Sequence, residues 1–196
     1  KTKYLGIYLD EHLTWNFQLS QIKSRLSRRC GLLAKLRYFV NSDLLRTVYY
    51  SVFDSVLKYG LQIWGQHNGV ARKKIEKVLE KAVKIIDFKS KYENANPSFK
   101  KLIIMKLSNS VTFNNCLFIY DHLKDTLPNN FSDYFKTTKD QHNYNTRSRT
   151  NNKIVKENVR TKSYGLNSIK FKATSDWNNM VSQIDIQLDE ITKNKF

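Results

Sequence analysis

Cysteine is scarce in this chain. The two present, Cys30 and Cys116, lie far apart and lack the paired Cys and His spacings of a zinc site or a disulfide framework. That points to a reducing, intracellular compartment. Long apolar runs are missing as well: none approaches the ~20 residues that span a bilayer, and holding a membrane surface would want a basic amphipathic anchor. No membrane partner is expected. The stretch from Lys1 to Leu9 is too short and too polar for a secretory core and does not begin with Met, so the chain reads as a piece of a longer protein.

Carboxylates are the third shortage. Only 17 Asp and Glu face 34 Lys and Arg, leaving +17 at neutral pH, a surplus that seeks a polyanion. Nucleic acid is the expected partner. Asp10 and Glu11 are the one tempting carboxylate pair, but they are adjacent and followed by His12, a turn composition. A two-metal site needs carboxylates that converge from separate elements to hold ions ~4 Å apart. The four histidines are scattered with no nearby nucleophile, which leaves a hydrolytic triad or an acid–base dyad without support. Neither a catalytic residue nor a cofactor is expected in this chain.

What is present is enough for a core: 196 residues with 40% hydrophobic content. Lys3 to Leu9 is rich in aromatic and branched residues and stops at Asp10, which predicts one strand, or half of a hairpin whose partner has been cut away. Trp15, Leu19, Ile22, Leu26, Cys30 and Leu33 recur at three and four, the spacing of one helix face, so a first helix should run to about Phe39. Ser42 then precedes Leu45, Val48, Val52, Val56 and Tyr59 and is the expected N-cap of a second helix that Gly60 and Gly65 punctuate. A third helix after Gly69 carries Ile75, Val78, Leu79, Ala82, Val83 and Ile86 on one side, with Lys73, Lys77, Lys81 and Lys84 on the other. Three such helices on short connections make a small bundle.

Pro97 opens a further helical stretch, and another around Val111 to Leu123 closes at Leu127-Pro128. Apolar periodicity vanishes from Lys136 to Lys153, the composition of a linker or of a loop that orders on binding. It returns at Phe171, Ala173, Trp177, Met180 and Val181, then at Ile184, Ile186, Leu188 and Ile191, for one or two terminal helices. The expected organisation is a strand region over 1–14, a helical bundle over 15–90, further helices over 91–135, and a basic, partly disordered region over 136–196. The fold class is mainly α.

Two stretches have the chemistry of nucleic-acid contact. Arg25, Arg28 and Lys35, with Ser24 on a neighbouring turn, lie away from the apolar face of the first helix and suit successive phosphates. Such a row is often only a solvated face; here the net charge weighs toward binding. The lysine row of the third helix is interleaved with Glu76 and Glu80, and Glu80 is placed to pair with Lys84, so it reads as an outer face. In the segment His142 to Arg149, Tyr144 is suited to stack on an unpaired base while Arg147 and Arg149 hold phosphates. A plain polar loop has the same composition. Trp64, Tyr59, Tyr49, Tyr50 and Phe53 are expected in the core and between helices.

The string Lys3, Tyr4, Leu5, Gly6, Ile7, then Leu9, Asp10, then Leu13, Thr14, Trp15 resembles the last conserved block of reverse transcriptases of non-LTR, LINE-type retrotransposons. Gly31-Leu32-Leu33 with Leu36-Arg37, Tyr59-Gly60 with Trp64-Gly65, the helix Ile75 to Ile86, Leu127-Pro128, the Tyr144-Asn145-Thr146-Arg147 segment and the closing Trp177-Asn178 fit the same proteins in the same order. The resemblance implies that Tyr4, Leu5 and Gly6 sit in a primer-grip strand at the edge of the palm. It also implies that Trp15 to Ile86 form a thumb packed on template and primer. RNA and an RNA/DNA hybrid would be the partners, together with the palm and fingers of the parent polymerase. The family's paired-aspartate motif, which would carry the divalent metal, its endonuclease domain and its Cys/His zinc knuckle are missing here. A stand-alone RNA-binding or interaction module, and a purely structural helical domain, remain open beside this reading.

Overall fold

Leu5 and Gly6 both have positive φ, 45° and 80°, the backbone of a two-residue hairpin turn whose twist matches paired strands. A computed structural model, which describes residues 1–67, 69–138 and 153–183, accordingly folds the N-terminus as a complete hairpin. β1 (Thr2–Tyr4) pairs antiparallel with β2 (Ile7–Leu9), with Thr2 opposite Leu9, Lys3 opposite Tyr8 and Tyr4 opposite Ile7. The single strand expected from sequence is therefore corrected: the partner strand lies within the same nine residues. Three-residue strands are too short to show period-two alternation, and the turn uses Leu5 where Asn or Asp is usual.

Asp10 organises the entry to the first helix. Its carboxylate accepts from the Thr14 and Trp15 backbone N–H groups at 2.8 and 2.9 Å and from the Thr14 hydroxyl at 3.1 Å. Burial pushes its pKa up, but these hydrogen bonds outweigh that and leave the carboxyl below its usual range. α1 (Asn16–Leu36) then buries Leu19, Ile22, Leu26, Cys30 and Leu33, and Trp15, the first residue of the expected stripe, is buried just before the helix starts. Burying each Leu or Ile fully stabilises by about 1.5–3 kcal/mol relative to leaving it in water. α1 packs along α5 (Val70–Ile86), with further contacts to β2 and to the second helical segment. The buried Gln18 side chain accepts from the Tyr8 N–H at 3.0 Å and so ties hairpin to helix.

The second segment runs as α2 (Ser42–Val48), a π-helical turn over Tyr49–Asp54, and α3 (Ser55–Lys58). Its N-cap is Asn41, whose side chain accepts from the Leu44 N–H at 3.0 Å. Ser42, the expected cap, instead donates its hydroxyl to the Ile86 carbonyl at 3.1 Å, pinning α2 to the end of α5. The buried stripe is Leu45, Tyr49, Phe53 and Leu57, while Val48, Val52 and Val56 are half-buried and Tyr59 is exposed. Steps of four overshoot an α-turn by about 40° each. The π turn rotates less per residue and brings the stripe back into register.

α4 (Leu61–Trp64), α5 and α6 (Asn96–Lys101, with Pro97 in its first turn) complete the first of two compact units, Lys1–Ser110. The boundary falls inside α7 (Leu107–Leu123). In the second unit, Val111–Phe196, α7 residues Cys116, Ile119 and Tyr120 share a core with Phe135, Ile154 and with Ala173, Trp177 and Val181 of α8 (Ile169–Gln183). Lys136 and Lys153, the expected limits of a linker, are not loose ends. Thr137 bridges Ile154, and the Val155 N–H donates to the Lys136 carbonyl at 2.8 Å. Asn178 exchanges two hydrogen bonds of 2.9 Å with the Ile154 backbone, standing in for a neighbouring strand. Among the described residues the molecule is thus mainly α, as the periodicities imply, with one small sheet. No helix among the described residues is long and apolar enough to cross a membrane.

Candidate nucleic-acid interface

α1 contains no acidic residue, and none occurs anywhere from residue 12 to residue 42. That acid-free run is a signal the helical periodicity alone does not carry. With one face committed to the core, the opposite face presents Arg25, Arg28, Leu32 and Lys35, all exposed. Their spacings of three, four and three keep them in one row about 15 Å long, at about 1.5 Å per residue. Among the described residues, no hydrogen bond or ion pair engages the side chains of Arg25, Arg28 or Lys35. Ser24 is exposed beside them. A cationic row without internal counter-ions keeps its full field for an outside anion.

Other cations of the same region have structural work instead. The half-buried Arg29 donates to the Val52 carbonyl, bracing α1 against the π turn. Arg72, buried on α5, donates to the Gly65 carbonyl at 2.7 Å and lies 3.4 Å from Glu76. Lys84 does not take the expected partner Glu80; its ammonium donates to the Lys91 carbonyl at 2.9 Å. The sequence pattern did not separate these braces from the free row, because a guanidinium that turns inward leaves no periodic mark.

Tyr4, Leu5 and Gly6 come together at the hairpin tip, with Tyr4 and Leu5 exposed. The close approach that Gly6 permits is to this chain's own Tyr59, whose ring lies 3.6 Å from where a Cβ would stand. The Tyr59 hydroxyl donates to the Leu5 carbonyl. Ile7 packs on Gly60, and the fully buried Trp64 donates its indole N–H to the Tyr59 carbonyl at 2.9 Å. Stretches some fifty residues apart in sequence therefore form one corner of the fold. No hydrogen bond or ion pair joins this corner to Arg25, Arg28 or Lys35 among the described residues.

Tyr144, Arg147 and Arg149 lie outside the described residues. Of the aromatic group expected in the core, Tyr49, Phe53 and Trp64 are buried, while Tyr50 is partly exposed and donates its hydroxyl to the Ile103 carbonyl at 3.1 Å. Burial and the neighbouring Asp54 push the Tyr49 phenol well above its ordinary pKa. Both cysteines are buried thiols, and burial, with Asp176 nearby, pushes Cys116 up to about 12. No cluster of three or more His, Cys, Asp or Glu side chains suited to a metal ion occurs among the described residues. No protein-family model, curated protein or solved structure matches the chain.

Proposed function

We propose that this chain is a nucleic-acid-holding part of a reverse transcriptase of the non-LTR retrotransposon type, and that α1 lies along the backbone of template RNA or of an RNA/DNA hybrid. One observation carries the reading: Arg25, Arg28 and Lys35 form an exposed row without internal partners, on a helix free of acidic residues and seated on a packed core. The resemblance of the motif residues supplies the family. The palm and fingers of the parent polymerase would be its protein partners, and an intracellular compartment its location.

Changing Arg25, Arg28 and Lys35 together to Gln removes up to three phosphate contacts and leaves the buried face intact. The log–log salt slope for a blunt hybrid duplex is expected to fall in magnitude by about 2 to 3, at roughly 0.9 per lost contact, with helicity unchanged. Lys73, Lys77 and Lys81 changed to Gln should cost less, because Glu76 and Glu80 already offset part of their field. Equal losses from both sets, or none from the first, would overturn the assignment of α1. Among the described residues no His, Cys, Asp and Glu side chains converge to hold metal ions, so the purified protein is expected not to extend a primer with Mg²⁺ or Mn²⁺. Labelled nucleotide incorporation that survives repurification would overturn that expectation.

A further inference from the structure

At the C-terminal end of α1 the chain runs into Arg37, Tyr38 and Phe39, and after α5 it turns through Phe88, whose φ is +55°, into Lys89, Lys91 and Tyr92. Between these two turns and the outer side of α5 lies a groove of about 320 Å³ lined by Arg37, Lys77, Lys81, Lys84, Lys89 and Lys91, with Glu80 and Ile85. Six cations share it with one lining carboxylate. Asp87, buried nearby, takes part of Lys89 at 3.8 Å, so the net field remains strongly positive.

Aromatic rings flank the cations. The Arg37 guanidinium lies over the Phe88 ring, 5.1 Å from its centroid, and the Lys91 ammonium lies 4.7 Å from the Tyr92 centroid. Tyr92 is 85% exposed and Tyr38 86% exposed, so each keeps a ring face open to a flat partner. Hydrogen bonds hold the walls together: Arg37 donates to the Lys89 carbonyl at 3.4 Å, and Lys84 to that of Lys91 at 2.9 Å. Cations lining a groove beside open aromatic faces are the two parts of a single-strand site, phosphates in the groove and bases on the rings. An acidic peptide would satisfy the lysines but leave the rings without a flat partner. The volume has the size of a small-molecule site, room for a short stretch of one strand.

We infer that this groove binds single-stranded nucleic acid, with Lys77, Lys81 and Lys91 on phosphates and Tyr92 stacking on a base. The site is separate from the α1 row and does not depend on it. Three of the lysines assigned from sequence to a solvated outer face, Lys77, Lys81 and Lys84, line it.

The test uses the whole chain, a labelled oligo(U) 12-mer and a blunt RNA/DNA hybrid, each across a salt series. Changing Lys77, Lys81 and Lys91, all exposed, to Gln should lower the oligo(U) salt slope by about 2, at roughly 0.7 per contact, and leave the slope for the blunt hybrid nearly unchanged. Tyr92→Ala should weaken oligo(U) binding by about fivefold or more without changing binding of inorganic polyphosphate, which has no bases. Photocross-linking of a 5-iodouracil 12-mer to the unaltered chain needs no variant and should label Tyr92 or Tyr38. Any of four outcomes would overturn the inference: an oligo(U) slope unmoved by the triple change, an equal loss for the hybrid, no effect of Tyr92→Ala, or tighter binding of poly-glutamate than of oligo(U). Because the α1 row is read on the blunt hybrid and the groove on oligo(U), either reading can fail while the other stands.

Discussion

Asp87 shows how much one residue can hold in a chain so poor in carboxylates. Its buried side chain accepts from the Ser98 hydroxyl at 2.6 Å and from the Lys101 ammonium at 2.6 Å, joining the end of α5 to α6. Burial raises its pKa, but the hydrogen bonds from Lys101 and Ser98, with the charges of Lys101 and Lys89, outweigh that and hold it below its ordinary value. A depressed folded-state pKa contributes stability above the unfolded value, about 3.9, and that stability is lost as pH falls through the folded value. Asp87→Asn should therefore destabilise the chain at pH 7 by about 1–3 kcal/mol, the usual cost of an impaired buried hydrogen-bond set. The gap from the unaltered protein should narrow below about pH 4, where the unfolded carboxyl takes up a proton that the folded one still resists, and close as pH falls through the lower folded value. Urea unfolding at pH 7 and pH 3 measures both, and a gap independent of pH would contradict the charged role given to Asp87.

Among the elements, legibility follows local periodicity. α1 and α5 repeat apolar residues at three and four, and their buried faces match the spacing. The second helix was readable as a helix but not in phase: valines at 48, 52 and 56 mimic a stripe, whereas the π turn buries Tyr49 and Phe53 one position later. A wider turn has no marker in the residue pattern. The α1 cation row was readable because it follows from the same periodicity. The basic groove was not, since its lining joins Arg37 to residues between Lys77 and Lys91, which only the fold brings together around one groove. The hairpin corner was hidden for the same reason, and it makes a test at this scale. Gly60 has φ +64°, and a Cβ there would lie 2.5 Å from Ile7 Cδ1. Gly60→Ala should cost about 1–3 kcal/mol from left-handed backbone strain and a displaced hairpin. Gly31→Ala, mid-helix with nothing within 4 Å, should stabilise by about 0.5–1 kcal/mol. Thermal melts of the two variants that move in the same direction would contradict this account.

Across the whole molecule the charge is unevenly divided. The unit Lys1–Ser110 holds 21 of the 34 Lys and Arg but 8 of the 17 Asp and Glu. Most of the surplus therefore resides with α1 and the groove, and the second unit is closer to balance. Long-range attraction of a polyanion follows the summed field rather than any single side chain, so first encounter should favour the first unit at low salt. Lysine footprinting by acetylation tests this in the intact chain. With a blunt RNA/DNA hybrid bound, Lys23 and Lys35, both exposed, should lose most of their reactivity. Lys124 and Lys172, which carry the smaller share of charge, should react much as in the free protein. The contrast should shrink as salt rises from 50 to 200 mM, because every lost phosphate contact returns a counter-ion. Protection centred instead on Lys136, Lys153 and Lys156 would move the binding surface to the second unit and leave α1 as a helix whose charge only keeps it in water.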